Sequence, residues 1–235
     1  MLATIINSAA IVLGSLIGIL FKQRINTRIT RSLVTALALA VAVLGIMGAI
    51  QTKDSLGMVI CIAVGTLLGE LLDLDGKLEA LAQLLRRLVA PGKAASGSFT
   101  QGFISATLTF CIGSMAIMGS MQAGISGDMS ILLSKSVIDC ITAVSFATAL
   151  GIGVAFSALP ILVYQGTITL LASVIAPFLS SAVILEVSAV GSIMMIGIAI
   201  NLLELRKIPV ANMLPAMFLP VLYQPLAQWV AGLTV

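Results

Sequence analysis

The stretch ISGDMSILLSKSVIDCITAVSFAT, which runs from Ile125 to Thr148, is apolar enough to lie in a lipid bilayer, yet it carries Lys135 and Asp139. Residues four apart share one face of an α-helix, where a lysine and an aspartate can form an ion pair. In a helix that begins near Met129, Asp139 lies about 15 Å from the start at ~1.5 Å per residue. Half of a hydrocarbon core is also about 15 Å, so we expect Asp139 near the membrane midplane.

This ion pair allows two interpretations from sequence alone. Lys135 is long enough to snorkel toward the membrane surface, whereas the short Asp139 is not. A charge at that depth costs about 2.5–3.5 kcal/mol on insertion scales, so it should face a cavity or a partner. The pair is therefore either a buried lock between two helices or part of a path for a solute or ion.

The composition of the chain is that of an integral membrane protein. Of the 235 residues, 60% are hydrophobic and only 9% are charged, whereas a soluble domain has about 25% charged residues. There is no histidine, and the three cysteines form no C-x-x-C pair. The sequence also has no phosphate-binding loop and no nucleophile elbow. We therefore predict that the protein is not an enzyme, uses no cofactor or metal, and binds no nucleic acid.

The apolar runs predict an all-α fold: a polytopic transmembrane bundle of about eight spans, some of them broken or re-entrant, in a single membrane domain over 1–235. The first apolar run is expected to be kept as a span, because its basic residues follow it rather than precede it. The predicted spans are 4–21, 32–50, 56–72, 101–121, 126–148, 160–176 and 187–203, a short interfacial or re-entrant piece at 178–185, and an irregular proline-rich region that ends near Trp229.

Residues 76–89 differ from these spans. Leucines recur there at helical spacing while charged side chains occupy the other faces, which is typical of an amphipathic helix that is too short and too charged to cross. We expect this helix to lie on the membrane surface or over the loops, to end at Pro91-Gly92, and to be followed by a small polar linker from Lys93 to Ser98.

The distribution of Lys and Arg predicts the orientation. With eight spans and an outside N-terminus, 10 of the 12 basic residues fall in inside loops, and the C-terminus is outside. Those ten are Lys22, Arg24, Arg28, Arg31, Lys77, Arg86, Arg87, Lys93, Arg206 and Lys207.

A shift of 71 residues aligns the second span with the fourth and suggests a tandem hairpin repeat, with a first helix hairpin at 4–50, a second at 56–122, and the remaining spans at 126–235. Eight of the 24 aligned positions from 37 to 60 are identical, including Ile46/Ile117, Gly48/Gly119 and Gln51/Gln122.

Two pairs of glycines, Gly14 with Gly18 and Gly65 with Gly69, give smooth helix faces. Such faces let helices approach closely, so we expect them to pack within the chain, and they would also allow a homodimer.

Several polar residues in the predicted spans are candidates to line a solute or ion path. Asn7 is the strongly polar residue of the first span, where it could be a hydrogen-bonding ligand or a contact between helices. The predicted path residues are Lys135, Asp139, Gln165, Glu186 and Asn201, together with Gln51 and Gln122 at equivalent positions of the repeat.

Four runs of sequence carry a resemblance that covers the whole chain: GSMAIMGSMQAGISGDMSILLSKSVID from Gly113, ALGIGVAFSALPILVYQG from Ala149, GTLLGELLDLDGKLE from Gly65 and KIPVANMLPA from Lys207. The sequence resembles the YdfK/YqgA-like bacterial inner-membrane proteins, a family named as a domain of unknown function. This resemblance implies a bacterial plasma-membrane location and implies no particular substrate.

Together these features favour a secondary transporter or permease for a small solute or ion. Asp139 would carry a coupling proton or cation, and Lys135 would be its counter-ion or an anion-binding group. The alternative is a non-transporting membrane module that binds a partner protein or lipid through the helix at 76–89.

Overall fold

The computed structural model describes residues 1–22, 26–89 and 96–224, and every regular element in these ranges is helical. Arg24, Pro91-Gly92, Lys93 and Trp229, on which some of the predictions above rest, lie outside the described residues. The α-helices are α1 (Leu2–Lys22), α2 (Thr27–Ala49), α3 (Ser55–Leu71), α4 (Leu74–Val89), α5 (Ser96–Cys111), α6 (Ser114–Ile125), α7 (Ser130–Leu150), α8 (Gly153–Phe156), α9 (Ala158–Leu170), α10 (Ala172–Ile175), α11 (Ser181–Leu202) and α12 (Leu214–Phe218).

The predicted all-α polytopic bundle is confirmed. Among the described residues, five helices are long and apolar enough to cross a membrane, and the number rises to seven if each of two bent helix pairs is one span. The bent pairs are α3 with α4, at 57°, and α5 with α6, at 62°. The expected eighth span corresponds to a shorter apolar segment, Val210–Gln224.

Helices α1 and α7 pack side by side in the same direction. A Cβ atom on Gly14 would overlap the carbonyl oxygen of Cys140, and one on Gly18 would overlap that of Val144. The hydroxyl of Thr148 donates to the carbonyl of Gly18 at 3.1 Å, which continues the contact toward the ends of both helices. The small residues therefore bring α1 close to the helix that carries Lys135 and Asp139.

The other glycine pair also packs within the chain, against a different partner. Gly65 of α3 contacts the backbone of Ala216, and Gly69 contacts the backbone of Asn212. The segment Val210–Gln224 consequently runs along α3 in the opposite direction.

Helix α11 is the most enclosed of the five long helices and packs against α2, where Gly45 and Gly48 contact Ser192. It begins at Ser181, because the hydroxyl of Ser180 accepts a hydrogen bond from the backbone N–H of Val183 and caps the first turn. The prediction of a separate piece at 178–185 is therefore wrong, because its second half forms the first turn of α11. The 3₁₀ helices of the described residues are Ala176–Phe178, just before α11, and Val210–Met213, just before α12.

The predicted fourth span, 101–121, is broken rather than continuous. Gly113 has a φ of 122°, a backbone conformation that glycine adopts far more readily than other residues, and the chain bends there between α5 and α6. The aligned segment α2 is continuous, so the two halves of the suggested repeat differ in shape, and the tandem repeat stays a prediction.

The predicted sixth span, 160–176, also begins earlier than expected. Pro160 lies in the first turn of α9, where a missing N–H is tolerated, and the apolar helical segment extends from Gly153 to Leu170.

The amphipathic helix predicted at 76–89 is α4. Its buried residue Ala82 and its neighbours Leu78 and Leu85 pack against Phe99 and Phe103 at the start of α5. A second stripe, Leu81, Leu84 and Leu88, is exposed. Phe99 also lies against Gly153, just after α7, and the end of α7 accepts a hydrogen bond from Lys22 at the end of α1, so α4 covers the end of the bundle at which α1 ends and α2 begins.

Candidate functional site

Four buried polar side chains from three helices meet inside the bundle, and we call them the polar cluster. Lys135 and Asp139 come from α7, Asn7 from α1 and Gln165 from α9. The Nζ of Lys135 lies 2.5 Å from the Oδ2 of Asp139, and the Nδ2 of Asn7 donates to the same oxygen at 3.1 Å. That amide also donates to the Oε1 of Gln165 at 3.2 Å. The two halves of the sequence thus meet at one carboxylate.

The polar cluster lies near the middle of α7. Asp139 is nine residues from the start of α7, or about 14 Å along a helix of roughly 30 Å. Asp139 is 4% exposed and Lys135 is 6% exposed, while Asn7 and Gln165 are fully buried. Asp139 therefore lies near the middle of α7, and the outward reach considered for Lys135 does not occur.

Lys135 points inward because the surrounding side chains support it there. Its Nζ lies 6.0 Å from the centroid of the Phe110 ring, at the limit of a cation–π contact. Phe110 in turn stacks on Phe146, with the ring centroids 6.2 Å apart. An aromatic wall on one side and Asp139 on the other thus hold the ammonium group.

Several hydrogen-bonding atoms of the polar cluster have no partner among the described residues. Every hydrogen bond that the described residues make to the carboxylate of Asp139 goes to Oδ2, so Oδ1 accepts none from them. The Oδ1 of Asn7 and the Nε2 of Gln165 are also buried and have no partner among the described residues. The site therefore offers two acceptors and one donor, which suits a proton, a cation or a small group that carries both a donor and an acceptor.

A further polar contact lies one helical turn from the polar cluster along α1 and α9. The hydroxyls of Thr4 and Thr169 are 3.4 Å apart, and Thr169 donates to the backbone carbonyl of Gln165 at 2.8 Å. These buried hydroxyls extend polar character from the polar cluster toward the end of the bundle at which α1 begins.

Glu186, a predicted path residue, lies elsewhere. Its carboxylate accepts from the hydroxyl of Thr52 at 2.5 Å and from the backbone N–H of Lys53 at 2.7 Å. Those residues form the turn between α2 and α3, so Glu186 fastens that turn to α11. The structure gives it a role in holding a turn and does not bring it to the polar cluster.

Asn201 also serves a turn. Its amide donates to the carbonyl of Ile208 at 2.8 Å and accepts from the N–H of the same residue at 2.7 Å, which closes the loop after α11. Gln51 is exposed in the turn after α2, and Gln122 lies in α6 with a buried Oε1 that has no described partner. Neither glutamine hydrogen-bonds to the polar cluster.

A cavity of about 760 Å³ opens at the end of the bundle that α4 covers. Its walls come from α4, α5, the end of α11 and the loop that follows. Lys207 and Glu79 form an ion pair across it at 2.7 Å, and the hydrogen bond from Lys207 to Glu79 raises the pKa of the lysine above its usual value. Within the described residues, no group of three or more Cys, Asp or Glu side chains could hold a metal ion here or elsewhere.

Asn7 is the residue of the polar cluster that the list of predicted path residues omitted. Its signal in the sequence was its strongly polar side chain within the first apolar run. Its partners lie 132 and 158 residues away along the chain, so only the fold brings them together.

Comparison with known proteins shows which family the chain belongs to. The family described as "Protein of unknown function (DUF554)" matches residues 2–224. The chain is 32% identical over 216 residues to "Uncharacterized protein YqgA" of Escherichia coli (strain K12), which covers 91% of this chain and 92% of that protein. It is 31% identical over 224 residues to "Uncharacterized membrane protein YdfK" of Bacillus subtilis (strain 168), which covers 94% of each. No solved structure matches significantly. The chain is a membrane protein that belongs to the DUF554 family.

Proposed function

We propose that the protein is a secondary transporter or permease for a small solute or ion, located in the bacterial plasma membrane, and that Asp139 binds the coupling proton or cation. The observation that carries this proposal is that several polar atoms of the polar cluster have no hydrogen-bond partner among the described residues. A carboxylate at mid-depth is expensive to bury, and it is usually retained where it serves a transport path.

The polar cluster has the composition that such a role requires. Lys135 stabilises the charged form of Asp139 when nothing else is bound, and it can release the carboxylate when a proton or cation arrives at the unengaged Oδ1. Asn7 and Gln165 hold the carboxylate in position and offer further groups to a solute. Because these four side chains come from α1, α7 and α9, a relative movement of those helices would change the site.

The alternative is a membrane module that does not transport and instead binds lipid or a partner protein. The observation in its favour is the exposed leucine stripe of α4, Leu81, Leu84 and Leu88. A stripe of this kind is typical of a helix that lies in the membrane interface, and it is compatible with a transporter as well. We also propose that the protein is not an enzyme, uses no cofactor and binds no nucleic acid.

Reconstitution in liposomes tests the proposed function. Proteoliposomes with a pH-sensitive dye inside and an imposed pH gradient would be challenged with a panel of amino acids, short peptides, sugars, organic acids and inorganic ions. At least one class should cause proton or charge movement with the wild-type protein and none with Asp139→Asn. Asp128→Asn is the matched control, because Asp128 is an exposed carboxylate just before α7. A folded Asp139→Asn protein that transports at the wild-type rate would refute the role of Asp139.

A further inference from the structure

The cavity beside α4 has three layers of different chemistry. Its floor is apolar, with Ile104, Leu108 and Ile198 among its residues. Its wall carries amide and hydroxyl groups from Gln101 and Ser105. A solute that fits all of it needs an apolar part and a polar end, and the volume of about 760 Å³ is within the range of small-molecule sites.

The mouth of the cavity carries both signs of charge. It is lined by three carboxylates and three cationic side chains, namely Asp75, Glu79, Glu204, Arg86, Arg206 and Lys207. Lys207 and Glu79 neutralise each other. Glu204 and Arg206 are both exposed, and neither forms an ion pair or side-chain hydrogen bond with another described residue. A carboxylate and a guanidinium two residues apart are thus available to a ligand of mixed charge.

The floor of the cavity leads toward the polar cluster. The residues of α5 that line the cavity recur at 100, 101, 104, 105 and 108, which is one face of a helix. The next turn of α5 carries Phe110, whose ring centroid lies 6.0 Å from the Nζ of Lys135. Less than one helical turn of α5 therefore separates Leu108, which lines the cavity, from Phe110, which contacts the polar cluster.

We propose that this cavity is a vestibule that binds a zwitterionic solute with an apolar side chain, of the size of an amino acid or a dipeptide. The ammonium group of the solute would be recognised by Glu204, its carboxylate by Arg206, and its side chain by the apolar floor. The proposal deepens the proposed transport function, because it names the class of solute that would approach the polar cluster from this end.

Binding to purified protein in nanodiscs tests the proposal without any transport assay. The probes are radiolabelled L-leucine and leucyl-leucine, and the competitors are leucinol, which is only a cation, and 4-methylpentanoate, which is only an anion. We expect at least one zwitterion to bind and each single-charge competitor to bind at least tenfold more weakly. Glu204→Gln and Arg206→Gln should each weaken binding at least fivefold.

Leu205→Ala is the matched control, because Leu205 lies between the two charges, is 72% exposed and does not line the cavity. Asp139→Asn should keep zwitterion binding, so this assay can succeed even if the role proposed for Asp139 fails. Absence of binding by both zwitterions would overturn the vestibule proposal. Equal binding by leucinol or 4-methylpentanoate, or full affinity in both rim variants, would overturn it as well.

Discussion

The Nδ2 of Asn7, in the first helix, donates a hydrogen bond at 3.1 Å to the Oδ2 of Asp139, the oxygen that Lys135 also binds. Two donors on one oxygen leave the other oxygen of the carboxylate unengaged by the described residues. An ion pair that served only to lock α7 to its neighbours would gain from engaging both oxygens, since buried charges are stabilised by additional hydrogen bonds. Because Lys135 and Asn7 both bind Oδ2, we propose that a ligand binds the Oδ1 of Asp139.

Replacing Asn7 with alanine should remove two buried hydrogen bonds at once. We expect Asn7→Ala to lower the free energy of unfolding by about 1–3 kcal/mol, because Asp139 and Gln165 lose a partner in an apolar environment. Stability can be followed by denaturant titration in mixed micelles. Glu186→Ala is the control, since it also loses two hydrogen bonds, at the turn between α2 and α3 rather than in the polar cluster.

These two variants should differ in transport. Asn7→Ala should reduce the transport rate of the folded protein, whereas Glu186→Ala should reduce stability alone. Equal transport rates per folded molecule in the two variants would assign Asn7 a purely structural role.

The local part of the site could be predicted from sequence, and its assembly could not. The pairing of Lys135 with Asp139 follows from helical spacing, and the position of Asp139 near the middle of its helix follows from the length of its apolar run. Asn7 and Gln165 are also polar in the sequence, but their meeting with Asp139 depends on the packing of α1 against both α7 and α9. The spacing of Gly14 and Gly18 predicts a close contact, but it does not identify the partner helix.

Hydropathy reports neither backbone geometry nor side-chain partners, so the sequence did not predict the break in the fourth span or the hydrogen bonds of Glu186. The break at Gly113 depends on a positive φ that a glycine allows, and many other glycines in this chain lie within continuous helices. Glu186 was assigned to a path because it is a carboxylate near an apolar run. The structure instead surrounds it with a hydroxyl and a backbone N–H of the turn after α2.

Glu186 is expected to matter for folding and not for transport. Glu186→Ala should lower the free energy of unfolding by about 1.5–3 kcal/mol, the usual range for a hydrogen bond to a charged group. The same denaturant titration measures this loss, and transport by the folded fraction should be unchanged. A stable Glu186→Ala protein that has lost transport would return this residue to the path.

Close packing between helices predicts that the glycines differ in how well they tolerate replacement by alanine. Gly14→Ala and Gly69→Ala should lower folded yield, because the added Cβ would overlap the backbone oxygen of Cys140 or of Asn212. Gly166→Ala should be tolerated, since the nearest atom to its Cβ is the flexible Met1 Cε at 3.5 Å. Size-exclusion chromatography of the three variants in detergent measures the folded yield. Equal yields would contradict close packing at Gly14 and Gly69.

The orientation of the protein in the membrane is a separate prediction. Among the described residues, eight basic side chains lie at the end of the bundle that α4 covers, and Lys53 lies in the turn at the other end. The excess of positive charge predicts that the α4 end faces the cytoplasm and that the N-terminus is outside. Labelling of single cysteines introduced at Leu205 and at Ser55 with an impermeant reagent should mark only the second in intact cells. Labelling of Leu205→Cys from outside would reverse the orientation.

The last prediction separates a structural lock from a functional site. Asp139→Asn and Lys135→Met should each destabilise the protein by about 3–5 kcal/mol, because each leaves a buried charge without its partner. The double variant, with both changes, should recover most of that loss. Lys207→Met and Glu79→Gln form the control pair; that ion pair is exposed, so each change should cost about 0–1 kcal/mol.

Activity of the double variant then decides between the two interpretations. If Lys135 and Asp139 only hold helices together, a stable double variant should transport at the wild-type rate. If Asp139 binds the coupling proton or cation, the double variant should be folded and inactive, because no other carboxylate lies in the polar cluster. Single variants without any loss of stability would contradict the pairing, since removing one member of a buried ion pair strands the charge of the other.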